Sequence, residues 1–237
     1  MDILIVMNTV MTITMNRQAN SLSFVQAMDA FFPIGAYTMS NGMETYVQKQ
    51  MVKDEETLTQ FLSSYLSILP FTELGFAAHA AKGEDVVLLD GLCGASKSPK
   101  EIREGSQKLC SRFLKAELFV KEYPLLQKYS NQIQAHTCDG HFCIAVGLFI
   151  KELQMDVAEG LSLYGYNQLS AMVNHAVKLV PLRQLEGQRC LHQALHQLEP
   201  AVEQALASKV EELGASGPGF DKRCMEHETL YSRLYLS

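Results

Sequence analysis

The sequence feature that most constrains the fold is the spacing of apolar residues between Asp54 and Pro70. They recur every three or four positions, which places them on one face of an α-helix. These residues are Leu58, Phe61, Leu62, Tyr65, Leu66 and Leu69. Asp54 stands before the run as a candidate N-cap, and Pro70 is expected to end or kink the helix. The pattern therefore predicts a helix with one buried face.

The same helical period returns along most of the chain. A second helix is expected to open near Pro99 and to end near Pro124. Residues 141–180 repeat the pattern, and it continues after Pro181 and again after Pro200, where another helix is expected to open. Short links between many helices are typical of an all-α bundle. We predict a single-domain, all-α helical bundle of about eight to ten helices with a flexible C-terminal tail.

Only two runs resemble strands, Ile3–Met7 and Val86–Leu89, and the second can equally be a helix. Residues 1–20 are interpreted as a disordered leader or as the product of a mis-assigned start codon. Residues 21–213 are expected to form the all-α domain. Residues 214–237, which follow a Gly- and Pro-containing break, are predicted to be a partner-binding tail.

Composition narrows the classes of function. The net charge is −6 and no basic run is present, so nothing indicates a nucleic-acid partner. No run of eighteen apolar residues occurs, so no membrane span is expected. The six cysteines form no C-x-x-C pair, which favours reduced thiols and a cytoplasmic location.

Charged residues make up only 19% of the chain, below the usual quarter, which favours self-association or a partner protein. The segment Met225–Tyr235 combines a His, two carboxylates, an Arg and two Tyr. Tyr and Arg anchor protein interfaces because each joins a large contact area to a directional hydrogen-bond donor. The tail is therefore predicted to be held by a partner, with Arg233 pairing with a carboxylate.

Metal-capable side chains cluster at His136, Cys138, His141 and Cys143. Imidazole and thiolate are ligands for Zn²⁺ or Ni²⁺, but these spacings do not match a standard zinc loop. His192 and His196 would share a helix face and offer a second two-point site, or simply an exposed face. The expectation is that the chain holds no metal, and direct metal carriage through the first cluster remains the alternative.

Motifs that would signal catalysis are not found: the sequence has no nucleophile elbow, zinc-protease helix, phosphate loop or Rossmann turn. An all-helical chain without a catalytic constellation is more often a binding protein than an enzyme, so we expect no enzymatic activity and no cofactor.

Three blocks together resemble the UreF family of urease accessory proteins. The front block contains Pro33, Ile34, Gly35, Ser40, Gly42, Glu44, Thr45 and Tyr46. The middle block contains Val180, Pro181, Leu182, Gln184, Gly187 and Gln188. The tail block contains His227, Glu228, Leu230, Tyr231, Ser232, Arg233 and Leu234. From the residues alone, the front block is more simply explained as a helix-turn-helix corner whose glycines serve packing.

The resemblance implies a non-enzymatic nickel-insertion chaperone with an all-α, commonly homodimeric fold. It implies a complex with UreD (also called UreH) and with the GTPase UreG. That complex delivers nickel to apo-urease. The front block and the tail are associated with UreD/UreH. Within the three blocks, the predicted partner-binding residues are Pro33, Gly35, Ser40, Gly42, Glu44, Tyr46, Pro181, Gln184, Gly187, Gln188, His227, Glu228, Leu230, Tyr231, Ser232, Arg233 and Leu234.

The chain departs from the family pattern in places. Arg183 stands where a small residue is expected, Met39 where His is common, and Met43 where Leu is common. His141 and Gly147 resemble a family pair, which favours a structural or interface role for His141.

Overall fold

Helices account for all regular structure in the computed structural model, which describes residues 18–215 and 217–236. Within these residues no strand is present, which confirms the all-α prediction. The α-helices are α1 (residues 18–27), α2 (Met43–Gln48), α3 (Glu55–Ile68), α4 (Glu73–Lys82), α5 (Val86–Ser96), α6 (Lys100–Val120), α7 (Pro124–Gln134), α8 (Phe142–Glu152), α9 (Val157–Leu179), α10 (Gln184–Ala207) and α11 (Pro218–His227). Short 3₁₀ turns lie at Ala36–Thr38, Leu69–Phe71 and Val210–Glu212.

The centre of the core is α8, whose residues from Phe142 to Ile150 are all buried. It packs against α4, α6 and α7. A methyl group at Gly147 would lie 2.2 Å from the carbonyl oxygen of Ala77, so α4 and α8 approach too closely there for any larger residue. A helix that is apolar all round, as α8 is, belongs at the centre of a bundle.

Local sequence signals explain how several helices begin. The Asp54 side chain accepts the Thr57 N–H at 2.9 Å, and the Thr57 hydroxyl accepts the Asp54 N–H, which completes a reciprocal cap for α3. The Asp85 side chain caps α5 by accepting the N–H groups of Val87 and Leu88, and Val86–Leu89 is helical and not a strand. The other strand-like run, Ile3–Met7, lies outside the described residues.

The predicted helix start at Pro200 is wrong, because α10 continues through it. Proline has no N–H to donate to the carbonyl of His196, which normally costs helix stability. The residues on either side compensate: Leu198, Ala201 and Val202 are buried against the core. The apolar stripe of α10 therefore continues on both sides of the proline, and packing outweighs the lost hydrogen bond.

Residues 55–82, from α3 through α4, form one stretch long and apolar enough by composition to cross a membrane. Sixty-one per cent of its most apolar window is buried inside the chain, as in the core helices of a folded domain.

The C-terminal segment carries α11 and then an irregular stretch to residue 236. α11 packs on α2 and α6, so this segment lies against the front of the chain. Of the predicted leader, residues 18–20 are helical, and Asn20 donates a 2.8 Å hydrogen bond to the Leu153 carbonyl. The rest of that leader lies outside the described residues.

Candidate functional site

Two glycines shape the front block, and both adopt positive φ angles. Gly35 and Gly42 each have φ of 78°, a left-handed conformation that side chains disfavour. A methyl group at Gly42 would lie 2.8 Å from Cys224 Sγ and 3.3 Å from the Cys224 backbone nitrogen. Gly42 thus serves two needs at once: it turns the chain into α2, and it lets α11 approach the backbone.

Glu44, in the first turn of α2, is the centre of the contact between the front block and the tail. Its side chain is only 4% exposed. Oε1 accepts the Leu234 N–H at 2.8 Å, and Oε2 accepts the Tyr235 N–H at 3.2 Å. Since the tail has no helix at this point, these bonds satisfy backbone groups that would otherwise lack partners.

The buried ring of His227, the last residue of α11, lies between two carboxylates. Its Nε2 is 3.2 Å from Glu44 Oε2, and its Nδ1 is 2.6 Å from Glu101 Oε2. Both ring nitrogens thus face carboxylate oxygens. His227 therefore links the front block, α6 and the tail through charge-assisted hydrogen bonds.

Further contacts order the irregular stretch after α11. Arg233 Nη1 lies 2.7 Å from Glu101 Oε1, so the arginine predicted to pair with a partner's carboxylate pairs within its own chain. Gln48 donates to the Ser232 carbonyl at 3.1 Å, and the Leu236 N–H donates to the Thr38 carbonyl at 2.9 Å. The tail is thus bonded to the front block along most of its length.

Tyr235 is the buried aromatic anchor of the tail. Its ring packs edge-on against His175 of α9, with the centroids 4.6 Å apart. Burial lowers the pKa of His175, although its bond to the Tyr37 carbonyl opposes that shift. In the front block, Tyr46 packs edge-on against Phe61, and burial raises the pKa of Tyr46 to about 12. His175 and Tyr46 are therefore both neutral at physiological pH and serve as packing residues.

The outward face of the tail is apolar. Tyr231 is completely exposed, and Leu234 and Leu236 are each more than half exposed. Tyr37, which precedes the Thr38 that bonds Leu236, is exposed as well. The tail thus has an inward side of buried anchors and an outward side of apolar groups held at fixed positions. We call these four exposed residues the tail face.

The middle block lies at the junction of α9 and α10. Gly187 is buried, and a methyl group there would lie 2.5 Å from Val177 Cγ2, which explains the glycine by close helix packing. Pro181, Gln184 and Gln188 are exposed. The last turns of α9 connect the blocks, because Val177 contacts the middle block while His175, two residues earlier, contacts the tail.

The predicted partner-binding residues therefore divide by exposure. Five are buried and support the surface from within: Ser40, Gly42, Glu44, Gly187 and His227. The others are exposed or partly exposed: Pro33, Gly35, Tyr46, Pro181, Gln184, Gln188, Glu228, Leu230, Tyr231, Ser232, Arg233 and Leu234.

The sequence reasoning missed two residues of this site, Glu101 and His175. Each lies on a helix remote in sequence from the front block and from the tail block, and its local spacing does not identify the residue that it contacts. Glu101 lies in the first turn of α6, where a carboxylate is common because it interacts favourably with the helix dipole.

The structure does not bring together the four candidate metal ligands His136, Cys138, His141 and Cys143. His136 is exposed, whereas Cys143 is buried with its sulfur 3.6 Å from that of Cys93. Burial raises the pKa of the Cys138 thiol to about 11, which disfavours the thiolate that binds metals. His192 and His196 do share an exposed face of α10, with ring centroids 5.2 Å apart.

Comparison with known proteins gives a consistent result. The family model described as UreF matches residues 52–195. A protein of Actinobacillus pleuropneumoniae serotype 5b, named urease accessory protein UreF, is 36% identical over 222 residues, which cover 91% of this chain and 98% of that protein. A protein of the same name from Haemophilus influenzae is 33% identical over 232 residues, covering 94% of this chain and 99% of its own length. One from Paenarthrobacter aurescens is 31% identical over 217 residues, covering 91% and 97%.

The family model matches more than half of the chain, and relatives of this identity extend over nearly its whole length. The chain belongs to the UreF family of urease accessory proteins.

Proposed function

We propose that this chain is a non-enzymatic scaffold in nickel insertion, which binds a UreD/UreH-type accessory protein and a UreG-type GTPase for delivery of nickel to apo-urease. The observation that carries the proposal is the tail face. Its apolar groups project outward from a segment whose backbone is fixed by Glu44, His227 and Tyr235. Exposed apolar patches of this kind are typical of protein interaction sites.

Fixing the tail in advance favours binding. A segment that orders only on binding loses conformational entropy at that step, which weakens the complex. Here the hydrogen bonds to Glu44 and the ion pair of Arg233 with Glu101 hold the tail in place within the free chain. A UreD/UreH-type partner would then contact side chains that are already positioned, chiefly Tyr231 and Leu234.

The double variant Tyr231→Ala, Leu234→Ala tests this assignment. Both side chains are exposed, so the fold and its thermal stability should be unchanged. We expect the affinity for the UreD/UreH-type protein, measured by calorimetry, to fall by at least tenfold, because central aromatic contacts commonly contribute about 2 kcal/mol or more.

Leu88→Ala is the matched control, since Leu88 is an exposed leucine on α5. It should bind the partner as the unaltered chain does. Equal affinity of the double variant and the control would remove the tail face from the interface and contradict the proposal.

Exposed residues of the middle block supply a second candidate contact. Pro181, Gln184 and Gln188 lie at the start of α10 beside Leu185, which is also exposed. We assign this surface to partner binding within the same assembly.

A homodimer is part of the proposal. Phe31 and Phe119 are 95% and 91% exposed, and both line an open cleft of about 960 Å³ with Val120 and Arg112. Large aromatic groups left in water favour burial against another surface, and two-fold dimers are the commonest oligomers. Sedimentation equilibrium of the purified chain gives its molar mass, and a monomer at all concentrations would contradict this part.

A cytoplasmic location fits the state of the cysteines. All six are buried and none forms a disulfide. Free thiols are typical of a reducing compartment. As a scaffold, the chain should not turn over any small compound by itself, and such turnover by the purified protein would overturn the proposal.

A further inference from the structure

A different part of the molecule, the loop that joins α7 to α8, lies against α5 and gathers metal-ligand side chains. Asp139 and His141 come from the loop, and Asp90 comes from α5. The ligand atoms of these three residues all lie within 4.8 Å of one another. No other group of this kind occurs in residues 18–215 or 217–236.

His141 provides an independent sign of a ligand site. The residue is completely buried, and its Nδ1 lies 3.3 Å from the hydroxyl oxygen of Ser106. Its Nε2 is also buried and has no hydrogen-bond partner among the described residues. A buried polar atom without a partner is costly, so it calls for an explanation.

This nitrogen and the Asp139 carboxylate both lie against Gly94 of α5. A methyl group at Gly94 would lie 3.1 Å from His141 Nε2 and 3.4 Å from Asp139 Oδ2. The two ligand atoms therefore border the same small volume over α5. Gly94 lies one helical turn after Asp90, so both residues face the loop.

Asp90 is positioned to complete the set. It is 1% exposed and accepts hydrogen bonds from the Tyr129 hydroxyl and from the N–H groups of Asp139 and Gly140. These donors are neutral, so the buried carboxylate charge is not matched by a cation among them. Its Oδ2 accepts a single hydrogen bond, from Asp139, and retains a lone pair.

We propose that Asp90, Asp139 and His141 form a binding site for a divalent first-row transition ion such as Zn²⁺ or Ni²⁺. Two carboxylates balance the charge of the ion, and one imidazole nitrogen favours these ions over Mg²⁺ or Ca²⁺. Asp139 is exposed and marks the side from which an ion enters. The site goes beyond the proposed scaffold role and does not depend on it, because the ion binds the chain without any partner.

Calorimetric titration of the full chain, without an affinity tag, with Zn²⁺ and with Ni²⁺ tests the site. We expect one ion per chain, and no binding of Mg²⁺ under the same conditions. In Asp139→Asn the affinity should fall by at least tenfold. The melting temperature without metal should stay unchanged, since the Asp139 side chain is exposed and its backbone N–H still bonds Asp90.

Two control variants separate this site from the other histidines. His136→Asn removes an exposed imidazole three residues before Asp139, and His192→Gln, His196→Gln removes the pair on α10. Both should retain the site. The proposal would be overturned if the chain bound no stoichiometric ion. It would also be overturned if binding survived Asp139→Asn but was lost in the His192→Gln, His196→Gln variant.

Cobalt substitution adds a readout of ligand chemistry. Co²⁺ bound to oxygen and nitrogen shows weak visible bands, whereas thiolate ligands add an intense charge-transfer band in the near ultraviolet. We expect the weak bands alone. The intense band would assign the ion to the buried cysteines near the loop, such as Cys138, and contradict the proposed ligand set.

Discussion

At the scale of single residues, the buried carboxyl groups of Glu73 and Glu117 differ in whether a neighbouring cation stabilises their charge. Burial by itself raises the pKa of Glu73, but the ammonium of Lys97 beside it holds the pKa below its ordinary value. Glu117 of α6 is also buried, and burial raises its pKa from 4.5 to about 7. Glu73 is therefore ionised in the folded chain, whereas Glu117 is largely protonated below neutral pH.

Glu117 makes the stability of the fold depend on pH. Between pH 4.5 and about 7 the folded chain holds a proton on Glu117 that the unfolded chain has released. The contribution of this residue is therefore fully present below pH 4.5 and is lost as the pH rises toward 7. In Glu117→Gln, the free energy of unfolding should no longer fall with rising pH for this reason. At pH 8 the variant should be more stable than the unaltered chain by on the order of 2 kcal/mol.

Urea unfolding at pH 5 and pH 8 measures that difference. Glu122→Gln is the control, because Glu122 is exposed two residues beyond the end of α6. The same change with pH in both variants would contradict the assignment to Glu117.

At the scale of elements, the sequence predicts a helix well where all signals agree. For α3, the Asp54 cap, the apolar period and Pro70 agree, and the helix runs from Glu55 to Ile68. At Pro200 the signals conflict: the proline indicates a break, whereas the apolar stripe continues, and only the packed core shows which of them dominates. The contact of Glu44 with His227, 183 residues apart, has no local signal at all.

The seating of α11 on α2 depends on Gly42. Gly42→Ala would strain a backbone at φ of 78° and place a methyl group 2.8 Å from Cys224 Sγ. We expect α11 to shift away, with the free energy of unfolding reduced by about 1–3 kcal/mol and weaker capture of the UreD/UreH-type partner.

Gly91→Ala is the matched control for that substitution, since a methyl group at this exposed position of α5 meets nothing within 4 Å. Alanine favours helices, so this variant should be as stable as the unaltered chain or up to about 1 kcal/mol more stable. Thermal unfolding of both variants gives the comparison, and equal stability of Gly42→Ala and the unaltered chain would contradict the proposed role of Gly42.

At the scale of the whole molecule, the helical fold follows from the sequence, whereas the position of the C-terminal segment does not. The sequence indicates that residues 214–237 serve a partner. It does not indicate that Glu44, Glu101 and His175 hold them in place, because those contacts exist only once the bundle has formed.

Deletion of residues 221–237 removes most of α11, but it should leave α1 to α10 in place and abolish capture of the UreD/UreH-type partner. The shortened chain should also melt at a lower temperature, because Glu44 would lose His227 and two backbone donors in a buried position. Circular dichroism, thermal melting and a pull-down with the partner test the three parts, and capture at full strength would contradict the assignment of the tail.

The hydrogen bond between Leu236 and Thr38 has a practical consequence for handling the protein. A purification handle or fluorescent fusion at the C-terminus would follow closely behind Leu236, a residue of the tail face, and would compete with a partner for that face. Handles that a protease removes without trace are therefore the safer choice for reconstitution.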